Sequence, residues 1–257
     1  MFPSRFRCAI LCFLLLMFTA SCVQAPHTER SQFIMVSKSK TVAMGKKTAQ
    51  KIKEKKPISN DPALVEQVSD VGKRIAEKSQ TDYSWEFNVI DEDTINAFAL
   101  PGGKVFVYRG ILELTDNNAQ LATVIAHEIA HVIARHGAER VSMQLSTNML
   151  GKVAQAALDL ENPLLAKTFQ QAYGITSQVG LILPYSRTQE YEADKIGLIL
   201  MAKAGYNPEA AIAFWSKMQK KDKGKQPPPW LSTHPPSNSR LNKIKEAIPE
   251  IKSKYYK

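Results

Sequence analysis

Residues 127–131, His127-Glu128-Ile129-Ala130-His131, lie within 117–136. The apolar spacing of that run predicts one long helix. Residues four apart on a helix stand nearly above one another, because the turn repeats every ~3.6 residues. His127 and His131 can therefore face one metal ion. Glu128 lies beside them, close enough to take a proton from water, as in the zinc metallopeptidase arrangement. Leu121, Val124, Ile125, Ile129, Val132 and Ile133 make the helix apolar on most faces, as in a buried core helix. Two histidines and a glutamate are costly there without partners. A lone histidine in such a place reads as a core residue bonded to a carbonyl; the triple reads as a metal site. His136 falls about half a turn from His127 on a continued helix. It is read as a C-terminal group before Gly137 that suits the helix dipole.

A third protein ligand is required. A metzincin would place a histidine at 137 and a glycine at 134; Gly137 and Ala134 stand there, which excludes that solution. The alternative is a carboxylate from a second helix. The run 186–204, ending before Gly205, predicts such a helix, with Glu190 and Asp194 four apart on one face. Glu190 is assigned as the third ligand. Asp194 would accept a hydrogen bond from a ligand imidazole and fix its tautomer. Glu192, about 200° round from Glu190, is expected to be solvated. The donors suit one Zn2+ per chain, though cobalt or manganese could bind them.

With Glu190-x-x-x-Asp194 after the pentad, the chain resembles the zinc metallopeptidase family of the CAAX prenyl proteases and Oma-type peptidases. Within it, the chain resembles the soluble periplasmic BepA/LoiP-like branch. Three further segments carry the resemblance: 96–103 (Asn-Ala-Phe-Ala-Leu-Pro-Gly-Gly), 134–137 (Ala-Arg-His-Gly), and 232–236 (Ser-Thr-His-Pro-Pro) with Arg240 after it. The resemblance spans roughly 30–248. It implies a mainly helical α+β fold of zincin (gluzincin) type, with a small antiparallel sheet packed on the metal-binding helix. It also implies Glu128 as general base, and His234 and Arg240 as stabilisers of the tetrahedral oxyanion. Alternatively, His234 could fill the open metal position and hold the enzyme latent. No membrane span is predicted after the leader, which argues against the prenylated substrates of the prenyl proteases.

The N-terminus addresses the chain to the cell envelope. Arg5 and Arg7 precede an apolar run, 9–18, too short for an ordinary transmembrane helix. Thr19-Ala20-Ser21-Cys22 resembles a lipobox. The expected organisation is a lipoprotein signal over 1–21, a lipid-anchored flexible tether over 22–30 with lipid on Cys22, and one catalytic domain over 31–257. The expected location is the periplasmic face of an outer membrane; a plain secretory signal would give a soluble periplasmic protein instead. Cys8, Cys12 and Cys22 are the three cysteines, so the mature chain has no thiol pair for a disulfide.

Loss of Arg5 and Arg7 lowers the formal net charge from +10 to +8. The excess gathers in 46–56, 217–225 and 243–257. No nucleic-acid signature accompanies it, which leaves an anionic membrane surface or simple solvation. Residues 85–90 and 104–108 read as strands, and Pro101-Gly102-Gly103 turns the chain between Phe98 and Val105. Lys104, Val105, Phe106, Val107 and Tyr108 are expected to form an edge strand that pairs with extended substrate. Residues 163–185, interrupted by Gly174, Gly180 and Pro184, are expected to cover the cleft. Together these features predict a metalloendopeptidase acting on unfolded or misassembled envelope proteins, with outer-membrane assembly machinery as a further partner. The rival is a lipid-anchored chaperone that holds clients with little or no proteolysis.

Overall fold

The computed structural model describes residues 22–26, 28–157, 186–222 and 228–257. The expected cover over 163–185 lies outside them. The described residues group into two compact units, one from Met1–Ser37 and Ala138–Leu181, the other from Lys38–Gly137 and Ile182–Lys257. Among the described residues no helix is long and apolar enough to cross a membrane.

In the first unit, β1 (Cys22–Gln24) pairs antiparallel with β2 (Ser31–Phe33), Cys22 opposite Phe33. The tether expected over 22–30 is thus a short hairpin, because it has something to bury and something to bind. Ala25 and Gln32 are buried, and Ala25 N–H donates to the Arg30 carbonyl at 2.8 Å. Arg30 makes two 2.8 Å bonds to the carboxylate of Glu139.

The second unit begins with α1 (Lys38–Lys55) and α2 (Pro62–Glu77). Asp61 caps α2, accepting from the N–H groups of Ala63 and Leu64, with Pro62 at the first helical position where its missing N–H costs nothing. A three-stranded sheet follows: β3 (Glu86–Ile90), β4 (Ala97–Leu100) and β5 (Lys104–Tyr108). Its spatial order is β3-β5-β4. The sheet is mixed: β5 runs antiparallel to β4, as expected, but parallel to β3, with Phe106 opposite both Phe98 and Asn88. The turn from β4 to β5 uses Gly102 and Gly103 at φ +86° and +84°, a region that L side chains disfavour.

This order corrects the reading of Lys104–Tyr108 as a substrate-binding edge. Strand β5 is central, and both of its backbone edges are taken by neighbouring strands. Val105, Phe106 and Val107 are fully buried, as befits a central strand covered on both faces. The outer edge of β3 is partly used, since Ser59 N–H donates to the Val89 carbonyl at 2.9 Å and Asp91 N–H to the Pro57 carbonyl at 2.8 Å. Strand β4 is the other edge.

After the short α3 (Arg109–Leu112), α4 (Asn118–Ile133) carries the pentad. Asn117 caps it, accepting from the N–H groups of Ala119 and Gln120. Every residue from Gln120 to Ile133 is buried, because α4 is enclosed by α2, β4, α6 (Arg187–Lys203) and α7 (Ala210–Asp222). The helix predicted over 117–136 stops short: Arg135 takes a left-handed φ of 53° and a new helix, α5 (His136–Ala157), starts after it. Helix α6 opens with a reciprocal cap between Ser186 and Gln189. It lies close on α4 because Gly197 has no Cβ, which would stand 3.2 Å from the backbone N of His127. The last two helices are α8 (Pro229–Thr233) and α9 (Asn238–Tyr255).

Helix α1 meets the sheet through Gly45, where an added Cβ would lie 2.1 Å from the Pro101 carbonyl oxygen. Both groups are backbone-fixed, so neither can swing aside. Gly45→Ala is expected to destabilise the protein by about 1–3 kcal/mol, measured by denaturant unfolding. A midpoint equal to that of the unchanged protein would show that α1 can shift freely.

Candidate metal centre

Helix α4 sets His127 and His131 on one face, and α6 sets Glu190 against them. The loop after α8 adds His234. All four are buried, and one donor atom from each lies within 4.8 Å of the others. Nε2 of His131 stands 3.0 Å from Nε2 of His127, which is 3.2 Å from Nδ1 of His234. Oε1 of Glu190 lies 3.0 Å from Nδ1 of His234 and 3.4 Å from Nε2 of His131; Oε2 lies 3.6 Å from Nε2 of His127. A tetrahedral zinc with bonds of about 2.0–2.1 Å has donor–donor edges of about 3.3–3.4 Å. The observed separations bracket that edge. Three imidazole nitrogens and a carboxylate at this spacing also make a poor hydrogen-bond network, since each N···N contact can share only one proton. The donor set fits zinc.

Behind the donors sits a tier of orienting groups. Oδ1 of Asp194 lies 3.1 Å from Nδ1 of His127. Arg240 holds Asp194 in a fork, Nε to Oδ2 at 2.6 Å and Nη2 to Oδ1 at 2.7 Å, and its Nη1 stands 2.5 Å from Oε2 of Glu190. Its guanidinium lies over the Trp215 ring, 3.8 Å from the centroid, and Trp215 stacks on Trp230 at 5.0 Å. The Trp230 indole N–H donates to Oε1 of Glu128 at 2.9 Å. Nε2 of His234 is 3.4 Å from the same oxygen.

Electrostatics follow from these contacts. Burial acts to raise the Glu190 carboxyl, but the Arg240 guanidinium together with His234, His127 and His131 outweighs it and holds the group well below the usual range. Asp194 is likewise lowered against its burial by Arg240. Burial acts to lower His127, yet Asp194 and Glu190 beside it push it up to about 9. His131 is driven well below an ordinary imidazole by burial, with the charges of His127 and His136 adding to it. A metal-free site thus keeps His127 as a cation at neutral pH, and His131 neutral.

The structure brings together seven residues that the sequence singled out: His127, Glu128, His131, Glu190, Asp194, His234 and Arg240. It sets the substrate strand apart, as described above. Two readings change. His136 is not the C-terminal cap group of α4, whose C-cap is Ala134: it is fully buried at the start of α5, with Nδ1 2.8 Å from Nδ1 of His131. Glu192 is not solvated: it is buried, and its Oε2 lies 2.9 Å from Nε2 of His136. Nothing in the local spacing of the sequence points to Trp215 and Trp230 as part of the site.

Residues 62–248 match the model of peptidase family M48. Mitochondrial metalloendopeptidase OMA1 of Schizosaccharomyces pombe is 43% identical over 190 residues, 73% of this chain and 54% of that protein. The Saccharomyces cerevisiae OMA1 is 32% identical over 254 residues, 90% of this chain and 70% of that one. The beta-barrel assembly-enhancing protease of Escherichia coli is 32% identical over 207 residues, 77% of this chain and 42% of that one. The chain therefore spans about half the length of the fission-yeast relative and less of the bacterial one. With the family match covering most of its length and the donor set in place, the chain belongs to peptidase family M48.

Proposed function

We propose that the chain is a zinc metalloendopeptidase that hydrolyses unfolded or misassembled proteins of the cell envelope. The observation that carries this reading is the position of Glu128, a buried carboxylate one residue from a donor histidine, beside four convergent metal donors. His127, His131 and Glu190 would hold the ion. Zinc in this site supplies Lewis acidity toward the scissile carbonyl and toward water. Glu128 takes the proton of the attacking water and passes it to the leaving amine. The Trp230 N–H anchors one oxygen of that carboxylate. Asp194, clamped by Arg240, holds His127 with Nε2 turned to the metal side. With its fork on Asp194 and Nη1 on Glu190, Arg240 acts as a positioning residue and not as an oxyanion donor. The edge strand β4, in place of β5, is the element to pair with an extended substrate backbone.

His234 favours a second reading. Its Nδ1 stands among the metal donors, where water or substrate would enter. In this arrangement the site is latent, and the chain could hold clients without cutting them. Catalysis requires His234 to leave the donor set, and oxyanion stabilisation is the role proposed for it once displaced.

The bacterial relative's name, a beta-barrel assembly-enhancing protease, and the leader of this chain favour the periplasmic face of an outer membrane, with lipid on Cys22. Outer-membrane assembly machinery is the matching partner. The eukaryotic relatives are named as mitochondrial, which favours the protease chemistry over any one compartment.

Three outcomes test these readings. Unfolded casein should be cut, and a chelator should stop the cutting. Glu128→Gln should lower the rate by at least about 10²-fold while zinc stays near one per chain; His127→Ala, His131→Ala and Glu190→Ala should lose zinc and activity together. An active Glu128→Gln protein would remove Glu128 from the chemistry, and intact zinc-binding casein resistance would favour the holding function.

Zinc uptake should depend on pH. His127 carries a proton below about 9, and zinc must displace it. Affinity should therefore rise with pH from neutrality and level off near that value, as read by chelator competition. A flat profile would mean that His127 is already neutral in the metal-free protein. Cys22→Ser should abolish fatty-acid labelling and move the protein from the membrane to the soluble fraction; unchanged labelling would place the modification elsewhere.

A further inference from the structure

Helix α4 delivers His131 to the donor set through Nε2, and the opposite nitrogen has a partner of its own. Nδ1 of His131 lies 2.8 Å from Nδ1 of His136. Nε2 of His136 lies 2.9 Å from Oε2 of Glu192. His136 is fully buried and Glu192 is 5% exposed. This line exists because the chain turns at Arg135 and folds His136 back beside the helix it has just left. Glu192 comes from α6, on a different face from Glu190 and Asp194.

The protons along this line run one way. An ionised carboxylate only accepts, so Nε2 of His136 carries the hydrogen that meets Glu192. With a metal held at Nε2 of His131, Nδ1 of that ring carries its hydrogen, so His136 would be neutral and its other nitrogen an acceptor. The hydrogen between the rings therefore belongs to Nδ1 of His131. That leaves the lone pair of His131 Nε2 facing His127 and Glu190, where a metal would sit.

The geometry points to His136 and Glu192 as positioning residues for the metal centre: a carboxylate–imidazole relay that fixes the tautomer and ring orientation of His131. Asp194 does this for His127 directly; the relay does it for His131 through a second ring. Because a neutral ring intervenes, His131 is oriented without a further carboxylate against the donor cluster. The inference rests on the metalloendopeptidase reading, since it needs a metal at His131 Nε2. A merely structural tie between α5 and α6 would lower stability and leave metal binding and tautomer unchanged.

The full chain with zinc bound tests this without any substitution. A ¹⁵N-histidine correlation spectrum should show the hydrogen of His131 on Nδ1 and that of His136 on Nε2. The opposite tautomer on either ring overturns the relay. Substitutions then give its magnitude. Zinc affinity, read against a chromogenic chelator, should fall roughly 10- to 100-fold in His136→Gln and Glu192→Ala. Glu192→Gln, whose carbonyl can still accept from His136, should recover most of the loss. The visible spectrum of the cobalt-substituted protein should change in the first two and return toward normal in the third. Folded variants with unchanged affinity and cobalt spectrum overturn the relay alone. An unsubstituted chain that takes up no zinc overturns the metal reading, and the relay with it.

Discussion

Helix α4 has no solvated side, so each polar group it carries is completed from within the protein. A buried imidazole or carboxylate left without a partner costs several kcal/mol at least. The elements around α4 can be read as the answer to that cost. Helix α6 contributes Glu190, Glu192 and Asp194 from its first two turns. The loop after α8 contributes His234, and α9 contributes Arg240. Gly197 lets α6 approach closely enough for its acids to reach the histidines. The packing of the core and the assembly of the site are the same event.

Arg240 joins the two kinds of interaction. Its fork on Asp194 is electrostatic, while its plane lies on Trp215, and Trp215 lies on Trp230. The stack ends at Glu128, which accepts from the Trp230 indole. Glu128, the proposed general base, and Asp194 beside His127 are thus fixed by one continuous column from α7, α8 and α9. A lysine at 240 would keep the charge but lose both the bidentate fork and the stacking surface.

What could be read in the sequence was what depends on spacing along one element. The i, i+4 pairs His127/His131 and Glu190/Asp194 were legible because helix geometry alone puts each pair on a face. The end of α4 was not. Arg135 carries no glycine signal for its left-handed backbone, so nothing in the local sequence ends the helix before His136. The burial of Glu192 is equally hidden, because angle round a helix says where a side chain points, not whether water is there. Strand order is also non-local: 104–108 could be seen as a strand, but its central place was set by β3, some residues upstream, returning parallel to it. The hint was its nearly unbroken apolar run, Val105-Phe106-Val107-Tyr108, which fits a strand buried on both faces. The contacts of Trp230 and the hairpin at 22–33 are tertiary, and no spacing rule reaches them.

The charges explain why a dication belongs here. Glu128, Glu190, Glu192 and Asp194 are four buried carboxylates, and Arg240 is the buried guanidinium among them. The group as a whole is therefore strongly negative when its histidines are neutral. In the absence of a metal, His127 offsets part of that charge by keeping a proton up to about 9. His131 cannot do the same, because burial and its two neighbouring imidazoles work against a second cation. A single proton leaves most of the negative charge in place, whereas a divalent ion at the convergence of the donors compensates more of it from one point. Metal binding in this chain is then coupled to the cohesion of α4, α6 and α9 as well as to chemistry. The elements that pack the core are held together by the charges that the ion balances.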